Sequence, residues 1–354
     1  MKFIVLENDG IGPEIMAATL PVLEKLDERF GLNIELVPMV SGMKALKAEG
    51  QTIPKAVYDA CDAADGVILG PVSSFEYPSE AEGGVNPSKS FRKVFDLFAN
   101  IRPARTRPGM PSVIKQMDLV IVRENTEGLY ADRNMFMGSG EFMPTEDVAL
   151  SVRKITRQGC ERIAKQAFEM AMERRKKVTA VHKANVLRMT DGLFLKTVMD
   201  VAKGYPSVEV EELIIDAATA HLVKRPQDFD VIVTTNAFGD ILSDLCSELS
   251  GSLGLAGSIN AGKGHVFAQA QHGSAPDIAG KGVANPTALM LSTAMLLEEL
   301  GRRTSRNDLA QASASMFKAV ELALGDPASH TPDLGGKNST EGFGKAVLAA
   351  LDKE

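Results

Sequence analysis

Residues 2–16 read Lys2-Phe3-Ile4-Val5-Leu6-Glu7-Asn8-Asp9-Gly10-Ile11-Gly12-Pro13-Glu14-Ile15-Met16. Lys2 to Glu7 is a short apolar run, Asn8 to Gly12 carry turn residues, and Ile15 to Leu26 repeat apolar positions at helical spacing. The pattern predicts strand, glycine turn, helix. Gly10-Ile11-Gly12-Pro13 lacks the third glycine of a dinucleotide fingerprint and puts proline where the helix begins. Proline there is a good helix start and a poor Rossmann turn. The same strand-to-turn pattern recurs at Ala64 to Gly70, and further short β-rich runs stand at Leu119 to Val122, Val178 to Val181 and Phe229 to Thr234. Helix-length segments, notably Asp147 to Arg174, lie between them and Ala288 to Leu300 resumes a helix beyond, so a largely parallel α/β core is predicted. The Gly/Ser-rich stretch Glu248 to Gly264 reads as a crossing between lobes.

At 354 residues the chain exceeds the usual size of a single core, which predicts two lobes around a cleft. Hydrophobic residues at 44% and charged residues at 24% match an ordinary globular enzyme and exclude disordered or collagenous chains. A net charge of −7 without a long basic stripe argues against nucleic acid as a partner. The segment MKFIVLENDG fits neither a signal peptide nor a membrane span, so a cytoplasmic protein with no membrane partner is expected. Cys61, Cys160 and Cys246 are far apart in sequence and read as reduced thiols.

Several residues stand where α/β sheets gather ligands, just beyond strand ends. Arg102 and Arg123 flank apolar runs, and Arg92 precedes the first of them; each is either a solvated charge or a guanidinium fork for a carboxylate. Asp240 and Asp244 would share one helix face, either gripping a hard cation or complementing the helix dipole. Asp216 follows the run Leu213 to Ile215 as a third carboxylate, and three oxygen ligands would suit Mg²⁺ or Mn²⁺. Lys183 ends Val178 to His182 and is either a surface lysine or a base, while His182 reads as structural. His272 to Asp277 reads as an ordered loop.

Together these segments resemble the β-decarboxylating dehydrogenases, the isocitrate/isopropylmalate dehydrogenase family, which also includes homoisocitrate and tartrate dehydrogenases. The motifs are NDGIGPE at 8–14, FRKVFDLFANIRPA at 91–104, VRENTEGLY at 122–130, VHKANVLRMTDGLF at 181–194, TTNAFGDILSD at 234–244, HGSAPDIAGKGVANP at 272–286 and TPDLGGKNSTEGFG at 331–344. They span almost the whole chain in the family's order.

The resemblance implies a two-lobed, non-Rossmann α/β fold with a central cleft. A discontinuous cofactor domain would comprise 1–98 plus 252–354, and residues 99–251 would bind substrate and metal and form the dimer. It implies a homodimer with shared active sites, NAD as cofactor and Mg²⁺ or Mn²⁺ as metal. Arg92, Arg102 and Arg123 would hold the substrate's carboxylates, Tyr130 and Lys183 would be catalytic, and Asp216, Asp240 and Asp244 would bind the metal. Lys183 and Asp216 would serve the partner's site. His272, Gly273, Ser274, Ala275, Pro276, Asp277, Ile278 and Asn285 would surround the cofactor, with Asp277-Ile278 favouring NAD over NADP.

Three positions depart from the family's usual pattern. Gln269 replaces a glutamate commonly found three residues before the loop histidine. Ser88 and Lys89 stand where isopropylmalate enzymes place two leucines, which favours a hydroxy-tricarboxylate, isocitrate or homoisocitrate, with isopropylmalate, tartrate or malate as alternatives. A catalytically idle regulatory subunit would be expected to lose Lys183, Tyr130 or the aspartates, and all five residues are present.

Overall fold

The computed structural model describes residues 1–130, 135 and 137–353. The chain divides into two compact units, one of Met1–Phe95, Arg107–Pro111 and Gly251–Glu354, the other of Asp96–Thr106 and Ser112–Ser250.

In the first unit, β1 (Lys2–Leu6) runs parallel to β2 (Glu35–Met39) on one side and β3 (Gly66–Leu69) on the other. In the second, β4 (Ala99–Arg105) lies antiparallel to β5 (Asp118–Glu124). The hairpin β6 (Glu141–Thr145) and β7 (Val148–Ser151) stands as a separate two-stranded sheet. β8 (Lys177–His182) pairs in parallel with β9 (Glu209–Ile214) and with β10 (Val231–Thr234), and β10 pairs in parallel with β5. Returning to the first unit, β11 (Ile259–Ala261) is antiparallel to β12 (Val266–Gln269), which is parallel to β3. The orders are thus β2-β1-β3-β12-β11 and β4-β5-β10-β8-β9, largely parallel with one antiparallel pair in each.

Strands such as Phe3–Leu6, Gly66–Leu69 and Val231–Thr234 are buried at every position because helices cover both sheet faces, which explains their continuous apolar runs. In the first unit the helix Thr287–Thr304 is buried along almost its whole length. In the second, Leu119, Ile121, Val181, Leu222, Phe229, Ile232 and Leu242 form one core. Among the described residues no helix is long and apolar enough to cross a membrane.

The glycine turn after β1 has a purpose of its own. Asn8 and Gly10 take positive φ, and a Cβ on Gly10 would lie 1.9 Å from the Ser274 carbonyl oxygen. Ile11 N–H donates to that same carbonyl at 2.9 Å. The tight turn therefore receives the loop that begins at His272, and the close backbone approach is what requires glycine.

One expectation from periodicity needs correction. Asp147 to Arg174 is not one helix: Val148–Ser151 is a strand with every residue exposed, and the helix spans Arg157–Met172. Its start is set by Thr156, whose hydroxyl caps the Gly159 N–H at 3.0 Å. Within Glu248 to Gly264 the chain does pass from the second unit, which ends at Ser250, to the first, which resumes at Gly251; the end of the helix Asn236–Ser250 and β11 also fall in this stretch.

Candidate active site

In the second unit the parallel strands deliver their side chains to one sheet edge. The register pairs Thr234 with Arg123 and with Val181, and His182 with Ile214, so Arg123, Lys183, Thr235 and Ile215 all lie at or just beyond the C-terminal strand ends. The helix Asn236–Ser250 starts directly after β10 and carries Asp240 and Asp244 one turn apart.

Arg102, Arg123, Tyr130 and Asp240 form one bonded cluster. Arg102 donates from Nη1 to Asp240 Oδ1 at 3.1 Å and to Ser243 Oγ at 2.6 Å, and lies 3.6 Å from Asp244. Arg123, 1% exposed, donates from Nε and Nη2 to Asn236 Oδ1 at 3.0 and 2.7 Å and pairs with Asp240 through Nη1. Tyr130 Oη donates to Asp240 Oδ2 at 2.6 Å beneath the Arg123 guanidinium. Burial raises the Tyr130 phenol above its ordinary value, and the Asp240 carboxylate raises it further, so the hydroxyl keeps its proton. Burial likewise raises the Asp244 carboxyl; Arg102 opposes the shift and Asp240 adds to it.

Lys183 and Asp216 are brought together elsewhere at that edge. Lys183 follows β8, Asp216 sits in the first turn of the helix Ile215–Lys224, and Lys183 Nζ donates to Asp216 Oδ1. That ion pair holds the Asp216 carboxyl below its usual range. His182 accepts from Ala184 N–H at 3.0 Å through Nδ1, and burial lowers its pKa, as suits a neutral structural imidazole.

The donor chemistry of Asp240 and Asp244 fits a hard divalent cation. Within the chain, and among the described residues, no cluster of three or more His, Cys, Asp or Glu side chains could hold a metal. Asp216 is occupied with Lys183, so one copy offers the aspartate pair without a third carboxylate beside it.

The first unit holds the remaining candidates in two places. The helix Pro87–Val94 begins with Asn86, whose side chain accepts from Lys89 N–H at 3.0 Å, and places Ser88 and Arg92 on one face. Ser88 Oγ donates to Gln269 Oε1 at 2.7 Å, while Lys89 Nζ lies 3.1 Å from Glu80. Separately, a cavity of about 630 Å³ is lined by Ile11, Gly254, His272, Gly273, Ala275, Ile278, Asn285 and Asp333, among others. Burial lowers the His272 imidazole below its ordinary pKa, and its Nε2 is a buried polar atom with no hydrogen-bond partner among the described residues. An acceptor or donor on a bound ring would satisfy it. Ser274 is buried, held by Ser73 Oγ at 2.8 Å, while Pro276 and Asp277 are exposed.

Sequence reasoning missed three members of these groups. Asn236 anchors Arg123, Ser243 anchors Arg102, and Asp333 lines the cavity while accepting from Asn285 Nδ2 at 3.0 Å. Their positions inside the motifs 234–244 and 331–344 were the available signal.

Residues 2–347 match the family model described as isocitrate/isopropylmalate dehydrogenase. The chain is 42% identical over 352 residues to an isocitrate/homoisocitrate dehydrogenase of Thermus thermophilus, covering 99% of this chain and 98% of that one. It is 41% identical over 337 residues to a 3-isopropylmalate dehydrogenase of Sulfurisphaera tokodaii, covering 95% of each. The crystal structure of isocitrate dehydrogenase from Methylococcus capsulatus superposes with a TM-score of 0.87 at 38% identity, over 99% of both chains. With an α/β fold and a full-length match, the chain belongs to the isocitrate/isopropylmalate dehydrogenase family, the oxidatively decarboxylating dehydrogenases.

Proposed function

We propose that the protein is an NAD-dependent, Mg²⁺- or Mn²⁺-dependent dehydrogenase that oxidises and decarboxylates a malate-type 2-hydroxy acid, isocitrate or homoisocitrate. The reaction class is supported most by the Arg102–Arg123–Tyr130–Asp240 cluster, in which two buried guanidiniums, a protonated phenol and a carboxylate converge. Asp240 and Asp244, with Asp216 of the partner subunit, would hold the cation, and NAD⁺ would occupy the first unit's cavity; bound, they supply Lewis-acid polarisation and a hydride acceptor.

The chain's own residues do the rest. Arg92, Arg102 and Arg123 bind substrate carboxylates with charge-assisted forks. Lys183 of the partner subunit takes the proton of the substrate's hydroxyl as its O–H bond breaks. Tyr130, kept protonated by burial and by Asp240, gives a proton from Oη to the carbon that loses CO₂. In the cofactor loop, Asp277 can accept hydrogen bonds from a ribose diol and repels a 2′-phosphate, which supports NAD over NADP.

Ser88 supports the tricarboxylate reading. Its hydroxyl shares a helix face with Arg92 and can turn its O–H from Gln269 Oε1 to a substrate carboxylate, which an isopropyl group cannot accept. Isopropylmalate is the second reading, favoured by the Sulfurisphaera tokodaii relative. A homodimer is supported by the exposed hairpin β6–β7, with Phe142 47% and Met143 62% exposed.

The deciding experiment offers isocitrate, homoisocitrate, isopropylmalate, tartrate and malate with NAD⁺ or NADP⁺ and Mn²⁺, reading both reduced nicotinamide and CO₂. The reading requires both products from a tricarboxylate with NAD⁺. Preference for isopropylmalate would overturn the substrate, and reduction without CO₂ would overturn the reaction.

A further inference from the structure

Lys183 stands at the head of a loop with few apolar anchors. Val186 is 65% exposed and Met189 87% exposed, so packing does little to fix the segment between β8 and the helix Thr190–Ala202. What fixes it is polar. The Lys183 carbonyl accepts from Val186 N–H at 3.0 Å and Leu187 N–H at 2.8 Å, and the Lys183 N–H donates to Asp191 Oδ2 at 2.6 Å. Asp191 is fully buried.

Burying a carboxylate is costly unless it has a partner, and the partner here is Arg153. Arg153 Nη2 lies 2.7 Å from Asp191 Oδ1 and donates to Thr235 Oγ1 at 3.1 Å. Its guanidinium also sits 5.3 Å from the centre of the Phe238 ring. Thr235 and Phe238 flank the start of the helix that carries Asp240 and Asp244. One buried ion pair therefore joins the backbone of Lys183 to the root of that helix.

We propose that Asp191 and Arg153 are positioning residues for proton abstraction: Asp191 sets the backbone from which Lys183 projects, and Arg153 holds Asp191 in place against Thr235 and Phe238. This inference rests on the reading of Lys183 as the base. A lysine that reaches its target through four methylenes loses its proton-transfer geometry when its backbone anchor shifts by about 1 Å, and such misplacement costs on the order of 100-fold in rate. Binding of the substrate's carboxylates, which depends on Arg92, Arg102 and Arg123, is left alone. The pair thus affects kcat and spares KM.

The test compares Asp191→Asn, Arg153→Met and Arg153→Lys with wild type in the intact enzyme, using the acid and nucleotide selected by the panel above and Mn²⁺. Two reactions are read: oxidation of the hydroxy acid, and decarboxylation of the corresponding β-keto acid, which needs no hydroxyl deprotonation. Expected are a fall of kcat for oxidation by 20-fold or more in Asp191→Asn and Arg153→Met, with KM within threefold and decarboxylation within threefold. Arg153→Lys, which keeps the charge, should recover at least fivefold over Arg153→Met. Oxidation within twofold of wild type in Arg153→Met, or equal loss of both reactions, overturns the proposal. Where Asp191→Asn does not fold, the two Arg153 variants decide. Lys183→Ala separates the two readings: if it retains turnover, the assignment of the base falls; if it is inactive while Arg153→Met is normal, the positioning role alone falls.

Discussion

Gly239→Ala is the sharpest probe of the arginine cluster, because local propensity and tertiary packing predict opposite signs. Gly239 lies inside the helix Asn236–Ser250, where alanine would gain about 1 kcal/mol over glycine. A Cβ there, however, would stand 2.6 Å from Arg123 Cγ and 2.7 Å from Arg123 Cβ. Comfortable carbon contacts begin near ~3.5 Å, so one side must move by nearly ~1 Å. Those atoms sit close to the backbone of β5, and the rest of the side chain is tied to Asn236 and Asp240. Overpacking of this kind costs about 1–3 kcal/mol, and weakening one charged hydrogen bond adds about 1.5–3 kcal/mol. The net is destabilisation by roughly 1.5–5 kcal/mol, with Arg123 displaced from its carboxylate-binding position. Thermal melting should fall by several degrees, and KM for the hydroxy acid should rise about 10-fold or more. A variant that melts at or above wild type with KM within twofold would refute the argument.

Further outcomes are expected. Replacing Ser88 and Lys89 together by leucine should shift kcat/KM towards isopropylmalate by about 10-fold or more relative to the tricarboxylate, measured side by side; an unchanged ratio would remove both residues from specificity. EDTA should abolish turnover and excess Mn²⁺ restore it, whereas full activity of metal-free enzyme would dismiss the Asp240–Asp244 site. Cys61, Cys160 and Cys246 are buried and free, and burial pushes each thiol up to about 12. At pH 8 the native protein should resist alkylation while the unfolded chain takes three labels, as mass spectrometry can count. Because these folded values lie above the unfolded thiol value, their contribution is fully present below about pH 8.5 and is lost as pH rises towards 12. Thermal melts recorded between those limits should decline.

Much of the protein was legible in the sequence wherever function depends on chain-local features. Strand, turn and helix at 2–26 follow from hydrophobic periodicity and proline placement, and Arg123, Lys183 and Asp240 are conspicuous because polar residues abruptly end or follow buried runs. The hairpin Glu141–Ser151 escaped that logic: its strands are exposed on both faces, so no burial pattern marks them. What tertiary structure decided is which charges meet. Asp216 turns to Lys183, Asp240 to Arg102, Arg123 and Tyr130, and Asp191 to Arg153 and the Lys183 backbone. Asp191 and Lys183 apart, which are eight residues from each other, these partners come from different elements and are far apart in sequence. A pairing between them exists only once the parallel strands are in register, and that register is set by burying Val120–Val122, Val178–Val181 and Val231–Val233 side by side.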